Sequence, residues 1–188
     1  MKIEIRNLGA IKHIVLEPKP LTIITGKNNS GKTYAMYTLW ALASLADRIG
    51  FKCVETHAIT LRQVGIIEFN LENFLNENWN DLISKINSSI PELVAKTFNV
   101  ESRFFKDSKI SITYPFEDFK NNFFNTFSLD CIDLDRNGIF EVIYSQKTKI
   151  IMVKNNFISR EFPIFLFKDY LSTIIAKTIL SPLAKKSF

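Results

Sequence analysis

Eight consecutive residues, Gly26-Lys27-Asn28-Asn29-Ser30-Gly31-Lys32-Thr33, constrain this chain more than any other stretch. A short β-branched run, residues 21–25 (Leu-Thr-Ile-Ile-Thr), precedes them, and an Ala-rich apolar segment, residues 34–49, follows and stops at Gly50. That order predicts a buried strand, a glycine-bent loop and a helix in immediate succession. The spacing of Gly26, Gly31, Lys32 and Thr33 matches the P-loop pattern in full. Glycines let the backbone curl until successive N–H groups point at one anion. Asn29 stands where a second glycine is common, and asparagine is the residue that next best tolerates a left-handed conformation. Backbone N–H groups of Asn28, Asn29, Ser30, Gly31, Lys32 and Thr33 are expected to hold phosphate oxygens, helped by the positive end of the helix dipole. Lys32 is expected to neutralise the β- and γ-phosphates, and Thr33 to place its hydroxyl on Mg²⁺. The expected ligands are therefore ATP and Mg²⁺, with no catalytic residue assigned within this chain.

Length and composition set the frame for that motif. The 188 residues, 46% of them hydrophobic, suffice for one domain or one lobe of a larger one. Six glycines and six prolines, with 23% charged residues, exclude a disordered tail or a collagen-like repeat. The net charge of +5 is uneven: residues 1–50 sum to +4, 51–100 to −2, 101–150 to −1 and 151–188 to +4. This permits a phosphate-bearing ligand without demanding nucleic acid. Cys53 and Cys131 are too few for a disulfide framework, which favours a reducing compartment. The N-terminus lacks the continuous apolar stretch of a signal peptide, and Lys168, Asp169 and Lys177 interrupt the most apolar tail. A cytoplasmic protein without a membrane span is expected.

Along the chain, residues 2–6 and 13–16 read as two strands joined through Asn7-Leu8-Gly9. Residues 70–99 support one or two amphipathic helices, with Pro91 as a helix start or break. From 103 to 153 the pattern is β-like, with strands over 109–114, 127–134, 139–144 and 149–153 and an Asn137-Gly138 hairpin turn. Residues 164–180 read as a final helix. The fold class is thus α/β: an N-terminal antiparallel hairpin, a P-loop strand and helix, a helical insertion at 70–99, then a β-rich section at 103–153.

Two strands ahead of the P-loop strand distinguish the chain from a small kinase, which opens on that strand. The arrangement resembles the ABC-type head of SMC and RecF-like ATPases. The phrase IEIRNLGAIKHIVLEPKPLTIITGKNNSGKTYAMYTLWAL resembles the AAA-type ATPases related to OLD-family nucleases and to bacterial anti-phage systems. The resemblance covers about the first forty-five residues. It implies ATP sandwiched between two heads, as a homodimer or with another ATPase head, and coupling to a nuclease or other effector that processes nucleic acid. Such proteins also carry a signature motif, a Walker B Asp-Glu pair and a switch histidine. None stands here: the two histidines are His13 and His57, and Phe127-Ser128-Leu129-Asp130 lacks the second acid. The chain is therefore expected to be the N-terminal lobe of such a head, binding ATP but hydrolysing it only with a half that supplies those motifs. A stand-alone, non-hydrolysing regulatory subunit is the rival reading. A small kinase ranks last, because six scattered arginines make no phosphate lid.

Weaker patterns have plainer explanations. Asp133 to Gly138 begins like a calcium loop, but Tyr144 stands where its bidentate Glu belongs, and a hairpin turn explains the run better. Cys53 and His57 make half of a metal site with no second pair. Gln63 and Gln146 are candidates for a Mg²⁺-contacting glutamine, and Lys12 for a base or ribose contact. The residues Phe104, Phe105, Phe116, Phe119, Phe123, Phe124 and Phe127, interleaved with Lys106, Lys109 and Lys120, fit core packing better than a nucleic-acid stacking surface. The helical stripe from 34 to 46, including Trp40, is expected to face the core, and Lys185-Lys186 a solvated surface.

Overall fold

In the computed structural model, residues 1–19, 21–124, 140–145, 147–156 and 163–184 are described. The expected strand 127–134, its Asn137-Gly138 turn, Gln146 and Lys185-Lys186 lie outside them. Strands β1 (Lys2–Leu8) and β2 (Ile11–Leu16) form the predicted hairpin. The turn itself is Gly9-Ala10, later than Asn7-Leu8-Gly9, because Leu8 still pairs with Ile11. Alternation buries Ile3 and Ile5 while Glu4 and Arg6 face outward. On the other edge of β1, strand β4 (Lys109–Thr113) pairs antiparallel, giving the sheet order β2-β1-β4. A second antiparallel sheet, β3-β6-β5, is built from Ile66–Asn70, Ile150–Asn155 and Phe140–Ser145.

Helices cover both sheets. Helix α1 (Lys32–Ser44) follows the loop and passes into a 3-10 turn at Leu45–Asp47, so the regular helix ends before the expected stop at Gly50. Helix α2 (Glu55–Val64) packs on α5 (Ile164–Ile179). Helix α3 (Leu71–Thr97) is one continuous 27-residue helix, and Pro91 lies inside it without ending it. A proline there removes the hydrogen bond to the Asn87 carbonyl at a cost of about 3 kcal/mol. Ile86, Ile90, Leu93 and Val94 are all buried around it, and at about 1.5–3 kcal/mol per buried side chain their packing outweighs that loss. Short helices α4 (Phe116–Phe123) and α6 (Ser181–Ala184) complete the set among the described residues.

The aromatic-rich stretch is core in part: Phe105 and Phe116 are half-buried against it, and Phe127 lies outside the described residues. Phe119, Phe123 and Phe124 are buried, and Phe119 packs with Trp79 at 4.7 Å between ring centroids. Trp79 Nε1 donates to the Tyr114 carbonyl at 2.7 Å, which satisfies its buried polar atom. Phe104 is exposed, with the Arg103 guanidinium 5.7 Å from its ring centroid.

Two expectations around the P-loop are overturned. Residues 21–25 do not form a strand: they pair with no strand among the described residues, and Leu21 and Ile23 are each 75% exposed. Trp40 is not a core residue either, being 60% exposed beside exposed Met36 and Tyr37. Helix α1 is apolar nearly all round, so its periodicity cannot choose a face. The buried face is the one carrying small side chains, Ala35, Thr38 and Ala41 with Leu42, which let the helix approach its neighbours closely. Among the described residues the fold is a mixed α/β arrangement of two small antiparallel sheets and helices.

Candidate functional site

The loop is shaped by three backbone conformations that a side chain normally forbids. Gly26 has φ 151°, Asn29 φ 60° and Gly31 φ 93°. Asn29 thus takes the left-handed conformation expected of it. At Gly26 the positive φ itself strains any side chain, and a Cβ would also come to a tight 3.0 Å from Ser30 Oγ. A Cβ at Gly31 would lie 2.5 Å from Ile11 Cγ1, because this residue rests directly on the start of β2. The Ser30 N–H donates to the Lys27 carbonyl at 3.3 Å and turns the chain toward α1.

Lys32 is the brace. Its ammonium donates to the carbonyls of Gly26 at 2.9 Å and Lys27 at 2.6 Å. Two of its three N–H groups therefore hold the loop in a ring, and the third remains for a ligand oxygen. Helix α1 starts here with Gly31 as N-cap, without a side-chain cap and without an acidic residue in its first turn. Its first N–H groups and positive dipole end are thus left for an anion. Thr33 is exposed at the same helix start, and Asn28 is exposed on the loop.

Lys32 and Thr33 border a cavity of about 360 Å³ lined by Gly9, Ala10 and the segment from Asn29 to Tyr34, whereas Gly26 and Asn28 do not line it. That volume lies within the range of small-molecule sites. The Gly9-Ala10 wall and Tyr34 were missed by motif reading, because a P-loop pattern says nothing of what packs beside it. Their sequence signal was the glycine in the hairpin turn. Lys12 is exposed on β2 and does not line this cavity. Gln63 borders a separate hollow with Ile59, Arg62 and Ile164. His57 packs its ring on Phe69 and Phe74, and burial holds its imidazole below the ordinary value. Cys53 borders a third cavity with Lys52 and Asp81, and burial pushes its thiol up. Among the described residues no cluster of three or more His, Cys, Asp or Glu is placed to hold a metal ion. Nor is any helix among them long and apolar enough to cross a membrane.

Fold and loop together define a mixed α/β domain with a glycine-bent, lysine-braced loop running into an uncapped helix start. Residues 1–183 match the AAA ATPase domain family, and the chain belongs to it. Comparison with curated proteins and with solved structures finds no match. Membership in that family implies nucleotide binding, with ATP and usually Mg²⁺ as the ligands. The residues here fit that pair, since the loop interior is kept open by glycine and a threonine hydroxyl is exposed at the helix start.

Proposed function

We propose that this chain binds Mg-ATP at residues 26–33. The observation that carries the reading is the Lys32 brace, which holds the loop in ring form with the α1 N-terminus uncapped. Backbone N–H groups of Asn28 to Thr33 would hold the phosphates, Lys32 would offset their charge, and Thr33 would hold the metal. Bound Mg²⁺ would supply charge neutralisation across the β- and γ-oxygens. Because Gly26, Asn29, Gly31 and the Lys32 contacts fix the bend within the loop itself, little ordering entropy opposes binding.

Hydrolysis is assigned to a composite site. No Asp or Glu lines the cavity among the described residues, so the group that orients the attacking water comes from elsewhere. A Walker B and signature half, in another segment or another head, is the proposed source. Exposed Leu21 and Ile23 before the loop, with Met36, Tyr37 and Trp40 after it, support a covered apolar face in the working assembly. That assembly is either a homodimer or a pairing with another ATPase head through bound ATP. The N-terminal resemblance to OLD-like ATPases supports coupling to a nuclease or other nucleic-acid-processing effector in anti-phage defence, in the cytoplasm. The acid-free cavity equally favours the second reading, a non-hydrolysing regulatory subunit.

Calorimetric titration with Mg-ATP beside Lys32→Ala, with phosphate release assayed on the same samples, tests this. Binding that disappears in the variant, with negligible turnover, supports the reading. Steady Lys32-dependent turnover by this chain alone, at a rate per molecule that does not depend on its concentration, would refute the composite site. Phosphate release that begins only on adding a second head would separate the ATPase lobe from the regulatory subunit.

A further inference from the structure

We infer that Tyr34 is a positioning residue of the nucleotide site: its ring holds the Gly9-Ala10 turn of the β1–β2 hairpin in place as a wall of the phosphate cavity. The inference rests on the Mg-ATP reading above and concerns residues outside the P-loop pattern.

Tyr34 lies in the first turn of α1, two residues past Lys32. Its ring covers the backbone of Gly9 so closely that a Cβ there would be 2.3 Å from Cε2 and 2.4 Å from Cζ. The same ring also stacks on Phe98, with centroids 5.1 Å apart and planes 29° apart. Phe98 is in turn held by Tyr37 at 5.4 Å and Phe105 at 5.5 Å. The half-buried Tyr34 ring therefore touches both the Gly9 turn and Phe98, and these two contacts restrict how far it can swing. The segment that carries Phe105 is also tied to the hairpin, because Ser108 Oγ donates to the Asn7 carbonyl at 2.6 Å.

The turn needs such a hold. Gly9 and Ala10 are exposed, and their two residues sit between Leu8 and Ile11, which are buried. Backbone of that kind moves unless something packs on it. Tyr34 supplies the packing, and because it belongs to the same helix turn as Lys32, the wall and the phosphate cradle are set relative to each other. The contact is made by the ring carbons, so phenylalanine should replace tyrosine and leucine should not.

Mg-ATP dissociation constants and ligand-free melting temperatures would be measured for wild type, Tyr34→Phe, Tyr34→Leu, Gly9→Ala and Phe98→Leu, with Lys32→Ala and Asn70→Ala as controls. Tyr34→Leu and Gly9→Ala are expected to weaken binding about tenfold, and Phe98→Leu several-fold, while Tyr34→Phe stays within about twofold of wild type. Asn70→Ala, at the far helix α3 N-cap, should lower the melting temperature and leave affinity alone. If Tyr34→Leu does not fold, Phe98→Leu reaches the same ring without altering the cavity lining. Wild-type binding that is lost in Lys32→Ala but kept in Tyr34→Leu, Gly9→Ala and Phe98→Leu overturns this inference and leaves the Mg-ATP reading standing. A folded wild type that does not bind Mg-ATP overturns both.

Discussion

At position 31 a single methyl group decides whether the loop can exist. Gly31 combines φ 93° with a would-be Cβ 2.5 Å from Ile11 Cγ1. Gly31→Ala therefore adds backbone strain to overpacking, together about 2–4 kcal/mol. The expected outcome is a fall in melting temperature and loss of Mg-ATP binding by calorimetry; a variant as stable as wild type would show that β2 yields. Lys32 differs, because it has a partner on either side of ligand binding. Lys32→Ala removes the ammonium from the phosphates and also frees the Gly26 and Lys27 carbonyls it grips. Lys32→Arg keeps the charge, but its planar fork suits two loop carbonyls poorly. Arginine is therefore expected to recover little of the affinity lost in alanine.

Helix α3 shows how an element overrides its own punctuation. Asn70 caps it: the side chain accepts from the Asn73 N–H at 2.9 Å and donates to the Thr148 carbonyl at 3.2 Å. Asn70→Ala is expected to cost about 1 kcal/mol, read as a lower urea midpoint. Pro91, exposed in the same helix, points the other way. Pro91→Ala restores the donor to the Asn87 carbonyl and is expected to stabilise the protein by about 1–3 kcal/mol. A lower midpoint instead would show that the proline stabilises the helix where it stands. Asn87 itself is occupied across the gap to β4, accepting from the Ile112 N–H at 2.7 Å and donating to its carbonyl at 3.1 Å.

For the whole molecule, Glu72 joins three elements. It sits in the first turn of α3, 16% exposed, and receives Lys120 of α4 at 2.7 Å and Lys149 from the turn before β6. Burial alone would push its carboxyl up, but the two lysines more than reverse this, and it lies below the ordinary carboxylate value. The depressed value means that protonation favours the unfolded chain. The contribution, about 1–2 kcal/mol, is complete above about pH 5 and is lost as pH falls through the depressed value. Glu72→Gln should accordingly be less stable than wild type at neutral pH, with the gap closing on acidification. The exposed apolar face makes a separate prediction. Trp40→Lys with Met36→Lys changes two exposed side chains, so melting should shift little while light scattering reports less self-association. Unchanged scattering would count against that face as a contact surface.

The loop, its lysine and threonine, the hairpin ahead of it and the closing helix were all legible in the residues. Their signals are local: glycines at fixed spacing, alternation of period two, and an apolar run of helical length. The left-handed Asn29 was legible for the same reason, since conformational tolerance belongs to the residue type. The surroundings of the loop were not legible. Residues 21–25 carry every mark of a buried strand, yet a strand needs a neighbour to pair with, and among the described residues none stands beside them. Trp40 looked like core on an all-apolar helix, but close approach favours the face with the smallest side chains. Gly9, Phe98 and Tyr34 are far apart in the chain and meet only because the hairpin and α3 fold against the same helix turn. Chemistry written into a contiguous loop belongs to the sequence, whereas burial and contact between distant segments are set by packing and arise only when the whole chain has folded.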